Sequence, residues 1–131
     1  MKTKNYTSLV LTKKWFDMIL AGKKKEEYRE IKPSYANRFL EKDNNWTFTK
    51  SCVNDVMKGY DTPLVINYLR RTLKDAPKYI IFYHAYKTDR PMVKLELKSI
   101  RIAKGKKGWG AIKGQWYFVL ELGEIIETNN I

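Results

Sequence analysis

Residues 78–102, KYIIFYHAYKTDRPMVKLELKSIRI, decide the fold class. The first run is β-branched and aromatic, and TDRP supplies a turn. In the second run Val93, Leu95 and Leu97 alternate with Lys94, Glu96 and Lys98, so the segment predicts an antiparallel hairpin. The apolar phase then jumps to Ile100 and Ile102. A slip of one residue turns the wrong side chains inward unless the strand is bulged or bent near Ser99. Bent strands point to a small, strongly curved sheet.

Working outward, residues 116–126, WYFVLELGEII, form another strand, with Trp116, Phe118, Leu120 and Leu122 on one face and Tyr117, Val119 and Glu121 on the other. Between the two lies AKGKKGWGAIKGQ, residues 103–115, whose four glycines and four lysines predict a mobile basic loop. Toward the N-terminus, YTSLVL at residues 6–11 suits a strand and Thr12 stands where a helix N-cap would. Trp15 with Ile19 and Phe16 with Leu20 then make an apolar helical stripe that Gly22 stops. KKKEEYREI, residues 23–31, predicts a short exposed strand closed by Pro33. Residues 34–58 show poor periodicity beyond a short helix near 34–40, and residues 63–73 suit a helix. The expectation is one α+β domain over residues 1–131: a small mixed sheet of five to six strands, barrel-like and flanked by helices, with a poorly legible insertion at residues 34–77.

The chain of 131 residues is 44% hydrophobic and 31% charged, with 7 glycines and 4 prolines, which excludes disordered, collagen-like and low-complexity classes. Its apolar runs reach four or five residues, far short of the roughly 18 a membrane span needs, so a soluble, cytoplasmic protein is expected. One cysteine, Cys52, and one histidine, His84, supply no disulfide and no Cys/His metal set, and neither metal nor cofactor is expected. Twenty-six Lys and Arg against 14 Asp and Glu give a net charge of +12, which favours a polyanionic partner such as nucleic acid. Residues 87–113 concentrate it, with nine basic residues against two acidic ones.

Residues 15–29, WFDMILAGKKKEEYR, resemble the signature of the ASCH domain, a branch of the PUA-like superfamily: an amphipathic helix followed by Gly-x-Lys-x-x-Glu-x-Arg, with Gly22, Lys24, Glu27 and Arg29 in the four marked places. YHAYK, the glycine-lysine loop with Trp109 and Gly110, and the closing YFVLELGEII look like the end of ASCH proteins common in phage and bacterial genomes. The resemblance leaves out residues 34–77. It implies a curved PUA-like barrel with a cleft after the first helix, and recognition of RNA or a modified nucleoside. Some branches hydrolyse the amide of an acylated cytidine or cleave RNA.

Strand alternation places Lys25, Glu27 and Arg29 on one face, with Lys24 in the preceding turn. Arg29 can fork onto a phosphate or onto Glu27, and Lys24 can present a point charge at the cleft mouth. If the chain is an enzyme, a nucleoside amidohydrolase or ribonuclease, Lys24 and Glu27 are the catalytic candidates. Lys25 and Glu27, however, stand where the hydrolase branch carries threonines, and Glu96 is the distant carboxylate such chemistry would need. Tyr83, Tyr86 and Trp109 can stack on unpaired bases while Lys104, Lys106 and Lys107 hold phosphates. Trp15, Trp116 and Phe118 read as core, and His84 as a packed strand residue. Binding of RNA or a modified nucleoside is the first expectation; hydrolysis of such a ligand, or a basic surface for an acidic protein, are the alternatives.

Overall fold

A computed structural model describes residues 5–85 and 89–131. The chain runs β1 (Tyr6–Leu11), α1 (Lys13–Leu20), β2 (Glu26–Glu30), α2 (Pro33–Phe39), α3 (Trp46–Met57), α4 (Pro63–Arg71), β3 (Tyr79–His84), β4 (Met92–Lys104), a 3₁₀ turn (Lys107–Trp109) and β5 (Trp116–Asn129). The five strands make one mixed sheet in the order β1-β3-β4-β5-β2. The α+β class with a curved mixed sheet flanked by helices, expected from the sequence, is the one the chain adopts. Among the described residues no helix is long and apolar enough to cross a membrane.

The chain divides into two compact units. The first takes in residues up to 27, 76–99 and from 120 onward. Here β3 and β4 are antiparallel, Tyr79 opposite Glu96 and Tyr83 opposite Met92, the hairpin that the alternation of residues 93–98 predicts. On the other side β3 pairs in parallel with β1, Tyr6 opposite Tyr79 and Leu11 opposite His84. Leu9, Leu11, Ile80, Phe82, Val93, Leu95 and Leu97 are buried, together with Phe16 and Ile19 of α1. His84 packs in this layer, its ring 6.0 Å from that of Phe16, as expected of a strand histidine.

Thr12 occupies the N-cap of α1, but its side chain makes no capping bond; only its carbonyl takes the Phe16 N–H, at 3.0 Å. The other end follows the glycine rule closely. Gly22 adopts a φ of 73°, which a residue with a Cβ resists. Its N–H donates to the Ile19 carbonyl at 3.0 Å and that of Lys23 to the Met18 carbonyl at 2.9 Å, the double bond of a Schellman stop. The Lys24 N–H also reaches the Met18 carbonyl, at 3.2 Å, so the helix end fixes the backbone of Lys24 directly.

The second unit holds residues 28–75 and 100–119. Its three helices lie in the stretch expected to be a poorly legible insertion. The short helix near residue 34 and the one from residue 63 are both present; the addition is α3, twelve residues long. Its buried stripe is Thr49, Cys52 and Val53, while Phe48 is 58% and Met57 55% exposed, so its apolar residues are divided between the packed and the open side. Thr49 sits there because its hydroxyl is satisfied, donating to the Asn45 carbonyl at 3.1 Å and meeting the Tyr68 hydroxyl of α4 at 2.9 Å. Burial, with the Asp55 charge adding to it, raises the Cys52 thiol pKa and keeps that sulfur inert. α4 opens on Thr62, whose hydroxyl accepts the Val65 N–H at 3.4 Å, with Pro63 in the first turn. Phe39, Leu40, Ile66, Leu69, Ile102 and Phe118 are buried in this unit, Phe39 edge-on to Phe118 at 5.3 Å.

β4 spans the phase jump. Val93, Leu95 and Leu97 are buried in the first unit and Ile102 in the second, and the division falls between Ser99 and Ile100, where the pattern predicts a bend.

Candidate functional site

The family-like motif does not form an open cationic mouth. Lys24 is 2% exposed and Glu27 6%, and Nζ of the lysine lies 3.3 Å from Oε1 of the glutamate. The ammonium also stands 5.0 Å from the centre of the Trp15 ring, a face that attracts cations. The helix stop delivers Lys24 to this position, and alternation along β2 delivers Glu27. Lys24 as a point charge at a mouth is therefore corrected: the side chain is interior, and its charge is matched there by a carboxylate and an aromatic face. A buried charge left unmatched is prohibitively costly, and this geometry avoids it. Trp15, read as core, is only half-buried and carries Lys14 over its ring as well, at 4.5 Å.

Arg29 falls in the second unit. It donates from Nη1 to the Tyr35 hydroxyl at 2.8 Å, its guanidinium 5.5 Å from the ring centre, and Lys32 lies 5.4 Å from the same ring. Arg38 completes this basic group; partial burial lowers its pKa most, Tyr35 opposes the shift, and the Arg29 charge adds to it. Tyr83 is half-buried in the first unit under the Arg90 guanidinium, 3.5 Å from its ring centre, and Glu96 is exposed on β4. Tyr86 lies outside the described residues.

The glycine-lysine loop is fastened rather than loose. The Lys106 N–H donates to the Tyr28 hydroxyl at 2.9 Å, and the Ile112 N–H donates to the Tyr117 hydroxyl at 2.9 Å. Ala111 is buried with Tyr117 and Val119 in a small core on the reverse face of β5, packed against Tyr28 and Ala103. A Cβ on Gly105 would stand 2.7 Å from Tyr28 ring atoms and from the Ala111 Cβ, so this approach requires glycine. The anchors hold a set of cations against indole rings: Lys106 lies 4.3 Å from the centre of Trp109, and Lys104 and Arg70 lie 5.1 and 5.2 Å from that of Trp116. Lys104, Lys106 and Lys107 are exposed, and Trp109 is half-buried.

The sequence pattern misses Trp116. Alternation groups it with Phe118 and Leu120, but it is half-buried and walls a cleft of about 550 Å³ with residues from β2, the α3–α4 connection and the loop before β5. Arg70 and Asp61 escape it too; neither has a linear signature. Among the described residues no cluster of three or more His, Cys, Asp or Glu is placed to hold a metal ion. Comparison with family models, with curated proteins and with solved structures finds no match to this chain.

Proposed function

We propose that this chain binds single-stranded RNA, or a modified nucleoside within it, in the manner of an ASCH domain. One observation carries the reading: a single anchored loop presents exposed Lys104, Lys106 and Lys107 beside two half-buried indoles, Trp109 and Trp116. Proteins that hold unpaired strands combine these parts, cations tracking the phosphates and ring faces stacking on bases. The resemblance of residues 15–29 and of the C-terminal segment to the ASCH pattern supports the same reading. The Lys24–Glu27 pair, shut from solvent, supports a structural role and lends nothing to hydrolysis.

Binding of a short single-stranded RNA measured across a salt series tests it. Wild type is expected to weaken linearly in log–log form, and Lys106→Ala with Lys107→Ala to flatten the slope by about one unit for each phosphate no longer neutralised. An unchanged slope removes the loop from the binding surface. Trp109→Ala is expected to lower the affinity that remains at high salt; if it does not, the partner is recognised by charge alone, as an acidic protein would be.

A further inference from the structure

The cleft walled by Trp116 carries groups that the basic-loop reading does not use. Glu30 and Lys32 at the end of β2, Asp61 ahead of α4, and Lys113 and Gln115 before β5 all line it. Its volume of about 550 Å³ lies within the roughly 300–1,000 Å³ of small-molecule sites. The lining thus includes two acidic residues and two lysines beside one indole. Carboxylates only accept hydrogen bonds and repel a polyanion, so the lining disfavours a bare phosphate chain. A purely apolar guest would leave four charges without use. The lining suits a molecule with a flat aromatic body, an edge rich in N–H donors and one anionic group.

We propose that this cleft takes one unpaired nucleotide, its base stacked on Trp116, its donor edge toward Glu30 and Asp61, and its phosphate near Lys32 and Lys113. Lys104, whose ammonium lies 5.1 Å from the Trp116 ring centre, is not among the residues that line the cleft. Arg70 stays in place, because Nε donates to the Ile102 carbonyl at 3.1 Å and Nη1 to Asn67 Oδ1 at 3.1 Å. Guanine fits the acidic wall best: N1–H and the exocyclic amine present adjacent donors to a carboxylate, whereas uracil presents two carbonyls and a single N–H. The inference rests on the nucleic-acid reading and names the nucleotide selected within the strand.

Calorimetric titration of the full chain with GMP and with UMP, run beside the RNA salt series, tests it. GMP is expected to bind about tenfold more tightly than UMP, the scale of one well-made pair of base-edge hydrogen bonds. Trp116→Ala is expected to lower GMP affinity about tenfold, and Trp116→Phe to retain most of it because the stacking face remains. Asp61→Asn with Glu30→Gln is expected to narrow the GMP-to-UMP ratio, a readout that a change in stability alone does not move. RNA binding with a normal salt slope but no GMP binding, or equal GMP and UMP affinities untouched by the Trp116→Ala and Asp61→Asn variants, overturns the cleft assignment and leaves the loop reading standing. GMP binding with no RNA binding keeps the cleft and overturns the loop reading.

Discussion

Lys24→Ala is expected to lower the unfolding free energy by roughly 3–5 kcal/mol, the range for removing one partner of a buried ion pair. The melting temperature should fall by on the order of 10 °C. The loss comes from the partner: with the ammonium gone, the Glu27 carboxylate stays 6% exposed without the ion pair it makes at 3.3 Å. Lys24→Met combined with Glu27→Leu should recover most of the stability, since a buried pair replaced by apolar groups of similar volume is often neutral. Urea and thermal denaturation of the single and double variants measure both effects. An unchanged midpoint for Lys24→Ala would show that the lysine leaves the interior in solution. This reverses what a lysine at a cleft mouth implies, where Lys24→Ala and Arg29→Ala would weaken a ligand and leave the melting temperature alone.

Gly105→Ala is expected to destabilise by roughly 1–3 kcal/mol, the scale of overpacking in a filled site. The added methyl meets Tyr28 ring atoms and the Ala111 Cβ at 2.7 Å, so Tyr28 must give way. That ring cannot shift without straining the 2.9 Å bond from the Lys106 N–H to its hydroxyl, which sets the start of the 3₁₀ turn. RNA affinity should therefore fall together with stability, although no cation is removed. Tyr28→Ala introduced with Gly105→Ala removes the clash with the ring but not the 2.7 Å approach to the Ala111 Cβ, and it loses the anchor, so affinity should not recover. Full affinity in Gly105→Ala would mean that the loop binds without its anchor.

Much of the fold is legible because strands declare themselves by alternation. The β3–β4 hairpin, the strand at residues 116–126, the opening strand and helix, and the stop at Gly22 all follow from residue type and spacing. What escapes does so for identifiable reasons. α3 buries the polar Thr49 beside Cys52 and Val53 and exposes Phe48 and Met57, so its apolar residues trace no single stripe. Lys24 defeats a rule that holds for nearly all lysines, because its burial is compensated by groups such as Glu27 and Trp15, and their spatial arrangement is a tertiary fact. Trp116 obeys the alternation of β5 yet lies at its first residue, where the strand meets the cleft. The cleft itself draws on residues 30–32, 56–61 and 112–116, segments remote in sequence with no shared pattern. Its residue types, acids beside lysines and glycines, look like ordinary surface until the fold gathers them.

The parallel alignment of β1 with β3 constrains the order of assembly. Residues 6–11 leave the ribosome well before the strand they pair with, residues 79–84. Closing so long a segment costs chain entropy before any ladder bond forms, and parallel pairings of this separation are slow. The local β3–β4 hairpin is expected to form sooner, with strand β1 docking on it afterward. Until then an apolar strand waits unpaired on the nascent polypeptide, the interval in which a chaperone or an unwanted neighbour can seize it.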